Sequence, residues 1–285
     1  MNISHIKSAV APVYVKPDER AELADEVLHG MEVTVTETAG EWCLIQTYYG
    51  YGGYVRAVDI EEESTYPEIF RTHEKLYVIS SFSDVKAERS YQSSSLVTLP
   101  RGSIVAAEAE GAGNAKEDAG VGAEPTDGWR GVVLADGRSG YVRASSLSAS
   151  LLDMSGGDED ALREAIVSLA KEYLGVQYRW GGKTPLGIDC SGLCSAVYLM
   201  CGIIIYRDAR IEDGFSMRKI GKREVKKGDL IYFSGHVAMY IGEERYIHAT
   251  GRAGSDGVVI NSLNPAHDDY REDLAKGILY YGSAF

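Results

Sequence analysis

The sequence predicts an α+β protein: a duplicated all-β amino-terminal half, then a part that places helices first and strands after. Two observations carry this. Residues 53–57 and 140–144 both read Gly-Tyr-Val-Arg-Ala, and in each copy a tryptophan, Trp42 or Trp129, precedes the tyrosine by twelve residues. From Asp158 onward, an amphipathic segment and a cysteine-bearing apolar segment precede a series of short β-branched runs. A repeat of this length marks a duplicated domain rather than a solenoid unit.

Within each copy the elements read as short strands separated by glycines. Gly30 opens Met31-Glu32-Val33-Thr34-Val35, and Gly102 opens Ser103-Ile104-Val105. Trp42 to Tyr48 alternates, then breaks at Gly50, Gly52 and Gly53. Small β-barrels give this pattern. The boundaries expected are 1–66 for the first barrel, 67–152 for the second and 158–285 for the carboxy-terminal domain. The stretch from Gly111 to Gly128, rich in Gly, Ala and acid, reads as a surface loop insertion, and Ser155-Gly156-Gly157-Asp158 reads as a linker.

In the last domain, Leu162, Ala165, Ile166, Leu169, Ala170 and Tyr173 form one face of a helix expected over Asp160 to Leu174, ended by Gly175. Asp189 is a good N-cap for a second helix, which puts Cys190 in its first turn and ends at Gly202. Strands follow at Leu230–Phe233, His236–Ile241, Tyr246–Ala249 and Val258–Ile260.

Composition narrows the function classes. The chain has 285 residues and a net charge of −13, which argues against nucleic acid or an anionic membrane as partner. Nineteen tyrosines against five phenylalanines suit half-exposed positions that meet polar ligands. The amino terminus lacks the apolar core of a secretory signal, and no run approaches a membrane span. The cysteines, Cys43, Cys190, Cys194 and Cys201, do not form a disulfide framework. A cytoplasmic, monomeric protein is the expectation.

The chemistry centres on Cys190. A thiol at a helix N-terminus meets the positive end of the helix dipole and several backbone N–H groups, which favour the thiolate. Cys194 and Cys201, one and three turns along, read as core. His236 follows Ser234-Gly235 at the start of a strand and suits a general base. His248 suits the group that orients it, the role of the acid in a Ser-His-Asp triad. Cysteine and histidine also bind zinc, but no CxxC or HxxxH spacing occurs, so neither metal nor cofactor is expected.

Five segments in order, Tyr178-Arg179-Trp180-Gly181-Gly182, Asp189-Cys190-Ser191-Gly192, Lys227-Gly228-Asp229-Leu230, His236-Val237-Ala238-Met239-Tyr240-Ile241-Gly242 and Ile247-His248-Ala249, resemble the NlpC-type cell-wall cysteine peptidases. The resemblance covers about residues 160–285, and the repeat looks like the bacterial SH3-like domains that precede the catalytic domain in one subgroup. It implies a papain-like catalytic domain after two small SH3-like β-barrels, with Cys190 as nucleophile, His236 as base and His248 as third member. It implies that Tyr178, Trp180, Asp189 and Ser191 border the substrate. Arg207-Asp208 would match an Arg-Asp pair whose acid meets a free amine, with Ala209 where serine is common. Tyr51 would reach the active site, and an acid would stand near Ala24, where Asp25 and Glu26 follow. The subgroup cleaves the γ-D-glutamyl to diamino-acid bond, with diaminopimelate or lysine third, in peptidoglycan tri- or tetrapeptides that begin with a free L-alanine. It releases L-Ala-γ-D-Glu in the recycling of wall peptides. Two other enzymes on such a core are an N-acetylmuramoyl-L-alanine amidase and a thioester-forming acyltransferase. A non-enzymatic wall-binding protein would use the β repeat alone.

Overall fold

Both copies of the repeat build the same sheet. The first has β1 (Asn2–Ile6), β2 (Val10–Tyr14), β3 (Leu23–Leu28), β4 (Glu32–Ala39), β5 (Trp42–Thr47), β6 (Gly52–Arg56) and β7 (Ile60–Glu62). A short helix, α1 (Glu68–Thr72), leads to β8 (Lys75–Val78), β9 (Phe82–Lys86), β10 (Ser95–Pro100), β11 (Ile104–Ala107), β12 (Trp129–Val133), β13 (Ser139–Arg143) and β14 (Leu147–Ser148). The first sheet runs β3-β2-β6-β5-β4-β1-β7 and the second β10-β9-β13-β12-β11-β8-β14, the same order strand for strand. The register repeats too: Trp42 pairs with Arg56 and Trp129 with Arg143, and each arginine lies over its tryptophan ring. These observations come from a computed structural model that describes residues 2–62, 68–108, 128–149 and 158–285. Of the expected insertion from Gly111 to Gly128 and the expected linker from Ser155 to Asp158, all but the last residue of each lies outside the described residues.

Neither sheet is the closed barrel that glycine spacing suggests. Among the described residues β3 and β7 are the edges of one ladder and β10 and β14 of the other, so both are open. The two-residue β14 and three-residue β7 supply few ladder bonds at that edge. Strand twist instead lets each sheet curl over its own apolar face. In the first, Ile6, Val13, Val27, Val33, Ile45 and Val55 are buried on the inside.

The chain divides into two units, 1–48 with 52–150, and 49–51 with 151–285. In the first unit His29, fully buried, joins the two copies. Its Nδ1 donates to Lys7 O at 2.8 Å, and its Nε2 accepts from the Ala135 N–H at 3.0 Å. The His29 carbonyl also accepts from the Ile104 N–H.

In the second unit Asp158 caps α2 (Glu159–Lys171), accepting from the Asp160 and Ala161 N–H groups. The helix stops short of the Leu174 expected, at a turn closed by Gly175 with φ 81°. Its buried face includes an arginine that the apolar pattern did not show. Arg163 bonds Asp229, the Lys227 carbonyl and Ser283. Both charges are buried, and the pairing offsets their desolvation.

A two-stranded ribbon, β15 (Lys183–Thr184) and β16 (Gly187–Ile188), feeds α3 (Cys190–Met200), which is buried along almost its whole length. Leu193, Cys194 and Val197 pack with Val237, Met239 and Ile247 of the sheet in one core. At Gly192 a β-carbon would collide with the Gly182 carbonyl, so the start of α3 approaches that backbone closely. The antiparallel sheet has β17 (Arg218–Ile220), β18 (Leu230–Phe233), β19 (His236–Gly242), β20 (Arg245–Arg252) and β21 (Ser255–Ser262). After α4 (Glu272–Lys276) comes β22 (Tyr280–Ser283), giving the order β17-β22-β18-β19-β20-β21. Among the described residues no helix is long and apolar enough to cross a membrane. All four cysteines are buried free thiols.

Candidate active site

Asp189 anchors the site. Its carboxylate caps α3 by accepting from the Gly192 N–H at 2.6 Å, and accepts from the Gly181 N–H at 2.8 Å and the Ser191 hydroxyl at 3.2 Å. Cys190 follows it, in the first turn. The Cys190 sulfur faces two backbone N–H groups, those of Ser191 and Val237, and Val237 directly follows His236. Those donors, with Arg207, pull the thiol pKa down, but only the Ser191 N–H belongs to the helix terminus expected to favour the thiolate. Burial and the Asp189 carboxylate push harder, and the thiol stands at about 11.

His236 and His248 meet across the β19–β20 ladder. Tyr240 pairs with Tyr246, so His236 and Tyr240 share a face with Tyr246 and His248. Their rings stand edge to face, with His236 Nε2 at 2.7 Å from His248 Nδ1. His248 Nε2 lies 2.9 Å from Asn261 Oδ1. Burial, with His248 and Arg271, holds His236 near pKa 3; burial and Arg271, against the Asn261 hydrogen bond, hold His248 near 4. Burial therefore disfavours charge on thiol or imidazole taken singly.

The Arg-Asp pair separates in space. Arg207 is buried and turns inward: Nη1 reaches Asp189 Oδ1 at 3.1 Å and Ser191 Oγ at 2.9 Å, and Nη2 reaches Asp189 Oδ2 at 3.0 Å. Asp208 turns the other way. It accepts from the Tyr51 hydroxyl at 2.9 Å and pairs with Arg210 at 3.1 Å. Tyr51 belongs to the Tyr49–Tyr51 segment that groups with this unit, and its ring packs edge to face on Tyr206. Beside it, the Lys183 ammonium donates to the Tyr49 hydroxyl at 2.8 Å.

Tyr178 bridges to Ile188 and covers Gly251. Its phenol is pushed up to about 12 by burial and by the neighbouring Cys190 and Asp189. Trp180 is 59% exposed on the same segment. Asp25 and Glu26 are buried in β3 of the first unit.

The profile of the NlpC/P60 family matches residues 175–272, and that of the bacterial SH3 domain matches residues 9–61. Dipeptidyl-peptidase 6 of Lysinibacillus sphaericus is 39% identical to this chain, the alignment covering 97% of each. The chain belongs to the NlpC/P60 family. It is a cysteine peptidase. A Bacillus cereus gamma-D-glutamyl-L-lysine dipeptidyl-peptidase is 25% identical over 80% of this chain and 67% of its own. The crystal structure of a Bacillus cereus NlpC/P60 family protein shares the fold, with a TM-score of 0.77 at 21% identity over 98% of each chain.

The Cys190 sulfur thus meets the N–H of the residue that follows His236, with Tyr178 close by and Asp189 and Ser191 flanking it in sequence. Three features escaped the sequence reading. Arg207 braces the helix cap, Lys183 holds Tyr49, and Asn261 receives His248. Asn261 did carry a signal, a lone amide ending the apolar run Val258-Val259-Ile260. Among the described residues no cluster of His, Cys, Asp and Glu is arranged to hold a metal.

Proposed function

We propose that this cysteine peptidase hydrolyses the γ-D-glutamyl to diamino-acid bond of peptidoglycan-derived peptides that begin with a free L-alanine. The products are L-Ala-γ-D-Glu and the remaining peptide. Cys190 is the nucleophile, His236 the base and His248 the group that orients it. The thiol proton passes to His236 as sulfur attacks the carbonyl. The C–N bond breaks, the leaving amine takes that proton, and water then releases the dipeptide from the thioester.

The observation that carries the free-amine reading is the place of Asp208. Its chain neighbour Arg207 is bound to Asp189 and Ser191, the residues on either side of Cys190. A carboxylate is thereby held at a fixed offset from the thiol, already hydrogen-bonded by Tyr51. A substrate ammonium would join Arg210 at this carboxylate, and a blocked amine would forgo that charge-assisted hydrogen bond. The amidase reading offers Asp208 no such group, because the alanine nitrogen is acylated in that substrate. The name of the gamma-D-glutamyl-L-lysine dipeptidyl-peptidase supports this bond, and that of dipeptidyl-peptidase 6 supports release of a dipeptide. Buried free thiols suit action in the cytoplasm, on recycled peptides.

The test is cleavage of L-Ala-γ-D-Glu-diaminopimelate, its lysine counterpart and the N-acetylated form of each. Release of L-Ala-γ-D-Glu from the free peptides, abolished in Cys190→Ala, is expected. Equal rates on free and acetylated peptides would refute the role of Asp208.

A further inference from the structure

We infer that Asn261 is a positioning residue for this reaction: it fixes the tautomer of His248 and, through His248, that of His236. The inference rests on the peptidase reading above. Asn261 lies on β21, opposite Tyr246 in a register that pairs His248 with Val259, so it is the diagonal neighbour of His248 on one face. Its Nδ2 lies 3.0 Å from the Asp269 carbonyl. That carbonyl also accepts from the Ser262 N–H, and the Asp269 carboxylate pairs with Arg245, so the acceptor is held in place.

One polarity follows from donor and acceptor chemistry alone. A carbonyl only accepts, so the amide nitrogen of Asn261 faces Asp269 and Oδ1 faces His248. Oδ1 also only accepts, so His248 Nε2 carries the proton. A neutral imidazole holds one proton, which leaves His248 Nδ1 as a lone pair. His236 Nε2 must then donate to it. The lone pair of His236 is left on Nδ1, free to take the Cys190 proton in the reaction proposed above. In the reverse tautomer Nδ1 would already be protonated and would accept nothing.

The amide is neutral, and that matters. The charged groups facing the two histidines are Arg271, Asp273 and, for His236, Asp189. A carboxylate at position 261 would hold His248 as an imidazolium protonated on both nitrogens. His248 Nδ1 would then donate to His236 and reverse the relay. Asn261→Asp is therefore competent only where His248 is neutral.

The test uses the full chain with Asn261→Leu and Asn261→Asp, read by cleavage of the free-amine tripeptide across pH and by imidazole 15N NMR without substrate. The wild-type His248 should show a single Nε2–H tautomer. Asn261→Leu should give a mixture and lower kcat by about 100-fold with KM changed less than about twofold, the direction seen when a histidine takes the wrong tautomer. Asn261→Asp should recover kcat in alkali and move the acid limb of kcat upward by about one pH unit or more. Folded Asn261→Leu with wild-type kcat, an unmoved acid limb in Asn261→Asp, or a wild-type Nδ1–H tautomer would each overturn the inference. Should Asn261→Leu fail to fold, the other two readings still decide. A wild-type protein that shows the Nε2–H tautomer but does not cut the peptide refutes the substrate and supports the relay.

Discussion

Arg207 forks onto the carboxylate of Asp189, which caps the helix that begins with Cys190. Both side chains are buried, so this pair supports the thiol's setting from beneath and leaves Asp208 to face Tyr51. Neighbours in sequence thus do unlike work.

That division predicts unlike mutants. Arg207→Ala leaves a buried carboxylate without its cation and should destabilise the protein by about 3 kcal/mol or more. Asp208→Asn should change stability by less than about 0.5 kcal/mol, as exposed pairs contribute little. It should instead raise KM for peptides with a free amine. Urea unfolding and steady-state kinetics on both variants separate the two; equal loss of stability would refute the division.

Activity should survive into acid. The base must be neutral, and burial holds His236 near pKa 3, well below an exposed histidine. Lowering the pH therefore removes the base late, and the acid limb of kcat/KM should lie below about pH 5. Circular dichroism at each pH separates titration from unfolding. A limb near 6.5 would show that the histidine is solvated.

Stability should fall earlier than activity chemistry alone requires. Burial lowers His29 from 6.5 to about 4. Between those values the unfolded chain binds a proton that the folded one refuses, so folding stability is complete above about 6.5 and declines toward 4. The share of His29 is on the order of 3 kcal/mol. In His29→Gln the loss between pH 6.5 and 4.5, measured by urea unfolding, should be smaller than in the parent. Identical losses would exclude His29.

The β19–β20 turn offers a gain. Glu243 and Glu244 both hold positive φ, 51° and 57°, the conformation of a tight hairpin turn that favours Asn-Gly. Replacing them by Glu243→Asn and Glu244→Gly should stabilise by about 1 kcal/mol with kcat unchanged. A lower melting temperature would show that the Asn264 contact to the Glu244 carboxylate outweighs the backbone term.

What the sequence determined by itself is local or periodic. The duplicated strand pattern, the cap at Asp189 with Cys190 behind it, and the two strand histidines are all legible, because caps, turns and alternation involve residues a few positions apart. Only the tertiary structure decided the partners. Arg207 finds Asp189 eighteen residues away, His248 finds Asn261 thirteen away and Arg163 finds Asp229 sixty-six away. It also left the sheets open, where local glycine spacing suggested closure. A buried charge or amide takes whichever complementary group the fold brings within about 3 Å, and that choice has no local pattern to betray it.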